Sequence, residues 1–245
     1  GLGDVYKRQT LKVFPKPKKI YTALVSVNSP KNSIKILNYI KDNLSIPLTA
    51  FELMNDFSVK LVEKHIDNIL IPIEKFKWLI LIEFSSIEDS KNEKNKIEKI
   101  LMKIIDQNLA NNIFILQSLN QTKNIWHIRE SISEAQKKEG GSIKNDISVP
   151  IKDISEFINT AVKLSKKQIP GSRNVIFGHI GDGNIHFNIS QQIKSNKAEF
   201  LGKEKDLREQ IIKLTIKLNG SFSAEHGICL LYTSPSPRDK RQSRM

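Results

Sequence analysis

One cysteine in 245 residues, Cys229, leaves nothing for an intrachain disulfide to pair with. No run reaches the roughly 18 apolar residues that a membrane-spanning helix needs, and the chain does not open on the charged-then-apolar pattern of a secretory signal. A reducing, cytoplasmic compartment is the expectation. Aromatic residues make up 7% of the chain and are mostly Phe inside apolar runs, so stacking platforms for single-stranded nucleic acid are missing. Arginine is scarce as well. Four of the seven (Arg8, Arg238, Arg241, Arg244) lie near the ends, leaving Arg129, Arg173 and Arg208 in the body. In a chain that otherwise draws its positive charge from lysine, each of these three calls for a specific reason.

What is present begins with charge. The formal net charge is +13, but both ends differ from the rest. Residues 1–9 and 229–245 show no apolar period and resemble translated sequencing-adapter read-through, so they are read as non-native and set aside. The remaining body, 10–228, holds 30 Lys and 3 Arg against 24 acids, a net charge of +9. Its lysines are mixed with Glu and Asp along helices, which is a composition bias and not a nucleic-acid-binding face.

Strand-like and helix-like stretches alternate without a linker. Strands are expected at Ile20–Val27, Leu48–Met54, Trp78–Phe84, Ile113–Gln117 and Ile147–Val149. Helices are expected from Pro30 to Lys41, from the Asn55-Asp56 cap to His65, from Asp89 to Gln107, from a Thr122 cap to Gly140-Gly141, from Ile151 to Gln168 and from Lys197 to Leu218. No internal repeat is clear, although βαβ-like units recur. The reading is an α+β domain, an antiparallel sheet covered by helices on one side.

The stretch Gly178-His179-Ile180-Gly181-Asp182-Gly183-Asn184-Ile185-His186-Phe187-Asn188 reads as a hairpin. If Ile180 faces Ile185, then His179 lies opposite His186, and Phe177 opposite Asn188. Directly opposed Cβ atoms are roughly 4.5–5.5 Å apart, close enough for two imidazoles to share a metal ion. Ile176, Gly178, Ile180, Ile185, Phe187 and Ile189 form the other, greasy face. Downstream, Ser223-Ala224-Glu225-His226-Gly227 offers a carboxylate as third ligand. In the helix after Thr122, Ile125, Ile128, Ile132 and Ala135 make an apolar stripe bordered by Arg129 and Ser133, one turn apart. Such an arginine is suited to gripping a carboxylate through two hydrogen bonds; a rim salt bridge to Glu130 or Glu134 is the plainer alternative.

These residues resemble the C-terminal, substrate-binding half of the FAD-linked D-2-hydroxyacid dehydrogenases, the family of D-2-hydroxyglutarate dehydrogenase, D-lactate dehydrogenase and the glycolate oxidase flavin subunit. The matching stretches are Thr10–Pro15, Phe51-Glu52-Leu53-Met54, Trp126–Glu130, Gly178–His186 and Ser223–Gly227. The resemblance implies a ferredoxin-like substrate (cap) domain over 10–228. It implies His179, His186 and Glu225 as ligands of a divalent metal, zinc or manganese. It further implies that Arg129, Ser133, Lys144 and Asn188 contact substrate and that His226 is the catalytic base. It implies FAD as cofactor, held by a preceding domain that this chain lacks, so the fragment alone is expected to be inactive. The substrate would be a small 2-hydroxy acid, with Arg129 and Lys144 pointing to two carboxylates and hence to D-2-hydroxyglutarate. The electron acceptor is left unspecified, and a homodimer is compatible with all of this. The rival reading is a stand-alone metal-binding module or metal-dependent hydrolase using the same His, His and Glu.

Overall fold

A computed structural model describes residues 15–87 and 91–222. Its first half runs β1 (Lys19–Val27), α1 (Pro30–Asn43), β2 (Leu48–Asn55), α2 (Asp56–His65), β3 (Trp78–Ser86), α3 (Lys91–Asp106) and β4 (Asn112–Ile115). These strands pair antiparallel in the order β4-β1-β3-β2. That is the ferredoxin-like split βαβ arrangement, with α2 inserted in the connection from β2 to β3. A long helix, α4 (Leu119–Lys137), leads out of it.

The second half repeats the plan. After β5 (Ser142–Ile143) come β6 (Asp146–Ser148), α5 (Ile154–Gln168), β7 (Arg173–His179), β8 (Asn184–Ser190), α6 (Lys197–Gly202), α7 (Glu204–Lys217) and β9 (Ser221–Phe222). Their order, β7-β8-β6-β9, is the first unit's order in mirror sequence, with β5 also on β8. The two units therefore join edge to edge through their equivalent strands, β2 and β7. The seam consists of Glu52↔His179, Leu53↔Gly178 and Met54↔Phe177. The repeat was hidden in the sequence because the two units differ in loop lengths and share no residue pattern.

Both faces of the sheet are covered, which corrects the one-sided expectation. Ala23, Val25, Leu53, Ile80 and Ile82 pack with α1, α3, α5 and α7. The alternate positions Leu24, Met54, Leu79, Leu81, Val175 and Phe177 pack with α2 and α4. Central strands with apolar residues on both faces leave no solvent face, so helices must cover both sides.

Local chemistry sets the element ends. Ser29 caps α1, with proline in its first turn. Asn55 caps α2 by accepting from the Ser58 amide; its Oδ1 also accepts from the Ile176 amide, and its Nδ2 donates to the Asn174 carbonyl at 2.8 Å. One side chain thus ends a helix and stitches the seam. The cap of α4 is Ser118, not Thr122: Ser118 and Gln121 form a reciprocal capping box. The expected single helix from Lys197 to Leu218 breaks at Lys203, just after Gly202, whose lack of a side chain disfavours helix.

Candidate active site

The hairpin forms, two residues out of the expected register. Phe177 lies opposite His186 and Val175 opposite Asn188. The reason is the turn: Ile180–Asp182 winds into a 3-10 turn closed by Gly183 at φ +82°, so the four-residue turn occupies 180–183, one residue earlier than expected, and β8 starts at Asn184. A slip of two residues preserves the side of the sheet each side chain faces. His179, Phe177, His186 and Asn188 still share one face, but His179 is a diagonal neighbour of His186. Diagonal positions are roughly 7–8 Å apart, within reach of long side chains. Directly opposite His179 stands Glu52 of β2.

Glu52 is 1% exposed. A carboxylate between Phe51 and Leu53, in a strand buried on both sides, needs partners for its charge. Its Oε1 meets His179 Nδ1, and its Oε2 accepts from Arg129 Nε at 2.7 Å. Burial alone would raise its pKa; the His179 hydrogen bond and the Arg129 guanidinium outweigh that and hold the carboxyl below its usual range. Arg129 therefore pairs with neither Glu130, which is exposed, nor Glu134, but with a strand residue 77 positions away. Its guanidinium lies over the Phe177 ring, 4.7 Å from the centroid. The Phe177 and His186 rings are 4.8 Å apart. His186 Nδ1 is 3.6 Å from Asp146 Oδ1, its cross-strand neighbour.

Asn188 is buried and held on both ends of its amide. Nδ2 donates to Gln136 Oε1 at 3.1 Å, and Oδ1 accepts from the Asn145 amide at 3.2 Å. Gln136 in turn donates to Ser190 Oγ. Ser133 is half-buried on α4, and Lys144 is exposed between β5 and β6. Continuing the register between those two short strands puts Lys144 level with Asn188. Glu225 and His226 lie outside the described residues.

The structure thus brings Arg129 and His179 together on Glu52, with His186 one ring away, and ties Asn188 to the same helix as Arg129. Sequence reasoning gave no role to Glu52, Asp146 or Gln136. The available signal was Glu52 itself, a lone charge in an apolar strand. The feature that would suit a divalent ion is His179, whose Nδ1 meets the Glu52 carboxylate, the arrangement that orients a ligating histidine and directs an ion to Nε2. Among the described residues no group of three or more His, Cys, Asp or Glu could hold a metal.

The fold is thus a doubled ferredoxin-like sheet whose seam carries Arg129, Glu52 and His179 in contact. The family model for FAD linked oxidases, C-terminal domain, matches residues 16–233. The chain belongs to this family. It is 34% identical over 230 residues to the D-2-hydroxyglutarate dehydrogenase, mitochondrial, of Arabidopsis thaliana, covering 93% of this chain and 39% of that protein. It is 32% identical over 209 residues to the D-2-hydroxyglutarate dehydrogenase of Stutzerimonas stutzeri, covering 84% and 44%. The chain spans about two-fifths of the length of these curated relatives. Among solved structures, p-cresol methylhydroxylase with substrate bound shares the fold, with a TM-score of 0.56 at 10% identity over 85% of this chain and 45% of that one. No helix among the described residues is long and apolar enough to cross a membrane.

Proposed function

We propose that this chain is the substrate- and metal-binding part of a flavin-dependent D-2-hydroxyacid dehydrogenase, oxidising D-2-hydroxyglutarate to 2-oxoglutarate. The observation that carries the reading is the seam, where Arg129 and His179 meet on Glu52 beside the His186 ring. In the complete enzyme, FAD would take the hydride from C2, and a zinc or manganese ion would polarise the 2-hydroxyl.

The remaining work falls to this chain's own residues. His179, His186 and Glu225 would hold the ion. Arg129, with Nε committed to Glu52, would grip one substrate carboxylate through its Nη groups. Lys144 would take the other carboxylate, and Ser133 and Asn188 would make polar contacts to the bound acid. Holding both carboxylates fixes where C2 points. His226 would accept the hydroxyl proton, because neutral imidazole suits that task near pH 7. A reducing compartment, the cytoplasm in the simplest case, belongs to this reading. Its support is the single cysteine, while several relatives are named as mitochondrial proteins.

Metal content by mass spectrometry tests the proposal. About one divalent ion per chain, lost in His186→Ala, is the expected result; a folded chain that takes up no ion overturns the metal assignment. Without added flavoprotein the chain should not oxidise D-2-hydroxyglutarate, and measurable turnover would show that the fragment is not dependent on a separate flavin domain.

A further inference from the structure

We propose that Glu52 is a positioning residue that couples the two halves of this site, setting the imidazole of His179 and the guanidinium of Arg129 from one buried carboxylate. The inference rests on the metal- and acid-binding reading above and deepens it.

Three features support it. The first is location. Glu52 lies in one of the three paired positions between β2 and β7, the strands that join the two ferredoxin-like units, directly across from His179. It comes from the first unit and His179 from the second, while Arg129 comes from α4, the helix between them. The site therefore exists only when all three parts are assembled, and Glu52 is the atom-level junction.

The second is the division of its oxygens. Oε1 takes His179 Nδ1 and Oε2 takes Arg129 Nε. A hydrogen donated from Nδ1 selects one tautomer and assigns ligation to Nε2. A bond to Nε, together with the stack on Phe177, fixes the guanidinium plane and leaves ligand binding to its Nη edge. Asp146 lies near His186, but at 3.6 Å from its Nδ1 it is beyond hydrogen-bond distance, so of these two the direct carboxylate–imidazole bond is the one made by Glu52. Glu52 also touches the arginine.

The third is energetic. A buried ion pair is not needed for stability, since apolar replacements of similar volume are often neutral or stabilising. What a carboxylate does here that Leu or Met could not is hold two functional side chains in fixed relative positions.

The test is zinc affinity, measured by competition with a chromophoric chelator on the wild-type chain, Glu52→Gln and the double variant Glu52→Gln/Arg129→Met. The double variant leaves no unpaired buried charge, so it folds even where the single variant does not. Loss of a carboxylate behind a ligating histidine costs about 10–100-fold in metal affinity, and that is the loss expected in both variants. Imidazole nitrogen NMR of the metal-free chain supplies a second readout that a merely structural role would not move. His179, assigned through His179→Gln, carries its proton on Nδ1 in the wild type and shifts toward the Nε2 tautomer in the variants. Variants that fold, bind zinc as tightly as wild type and keep the Nδ1 tautomer overturn the role of Glu52 and leave the metal reading standing. A wild-type chain that binds no zinc overturns the metal reading itself and this inference with it.

Discussion

A Cβ on Gly178 would lie 2.5 Å from the Asn184 carbonyl oxygen and 3.0 Å from Ile185 Cα. Backbone cannot yield as a flexible side chain can, so only glycine lets β8 come this close beside His179. Gly178→Ala should cost at least about 2 kcal/mol, read as a lowered urea midpoint. Gly202→Ala, whose Cβ would meet nothing within 4 Å, should be neutral or raise the midpoint slightly. Glu139 offers a second prediction at this scale. It takes Lys64 and His65 at 2.6 Å each and also pairs with Arg173. Burial works against its charge, but these three donors prevail and lower its pKa to about 2. A depressed folded pKa means the stabilisation is present above the ordinary carboxylate range near 4.5 and fades as pH falls toward 2. The wild-type urea midpoint should therefore drop from pH 6 to pH 3, and Glu139→Gln should show a shallower drop from a lower starting value. Equal slopes would mean the cluster adds nothing. Arg173 was marked by scarcity alone in the sequence; its partner became visible only when the ends of α2 and α4 met the start of β7.

At the scale of elements, start signals were legible where they were local. Ser29-Pro30 and Asn55-Asp56 begin helices as written, because a cap involves residues three apart and needs no tertiary partner. The start of α4 was misplaced for an equally local reason: Thr122 competes with Ser118, and the Gln121 side chain reaching back to the Ser118 amide decides between them. Ser118→Ala should cost about 1 kcal/mol, measured by thermal unfolding, whereas Thr122→Ala should cost less. The strands β5 and β9 are two residues long and carry no periodicity to detect. The hairpin register escaped for the same kind of reason. Alternation specifies which face a residue takes, but a two-residue shift leaves the alternation unchanged.

At the scale of the whole molecule, the two units share one core. Residues of α1 and α3 from the first and of α5 and α7 from the second belong to the same buried cluster. Unfolding should therefore be a single transition although the strand seam is only three pairs wide. Both tryptophans, Trp78 and Trp126, precede the second unit, so urea curves followed by their fluorescence and by far-ultraviolet circular dichroism should coincide. An earlier loss of ellipticity would show that the second unit unfolds separately. The sequence by itself determined the helix and strand alternation, the shared face of His179 and His186 and the residues that resemble a 2-hydroxyacid site, because periodicity and short motifs are properties of neighbours along the chain. Only the tertiary structure decided that the sheet is two equivalent halves, that helices cover both faces, and that Arg129 and His179 meet on Glu52. Those contacts join residues 77 and 127 positions apart, and no local pattern encodes which distant strand edge will pair with which.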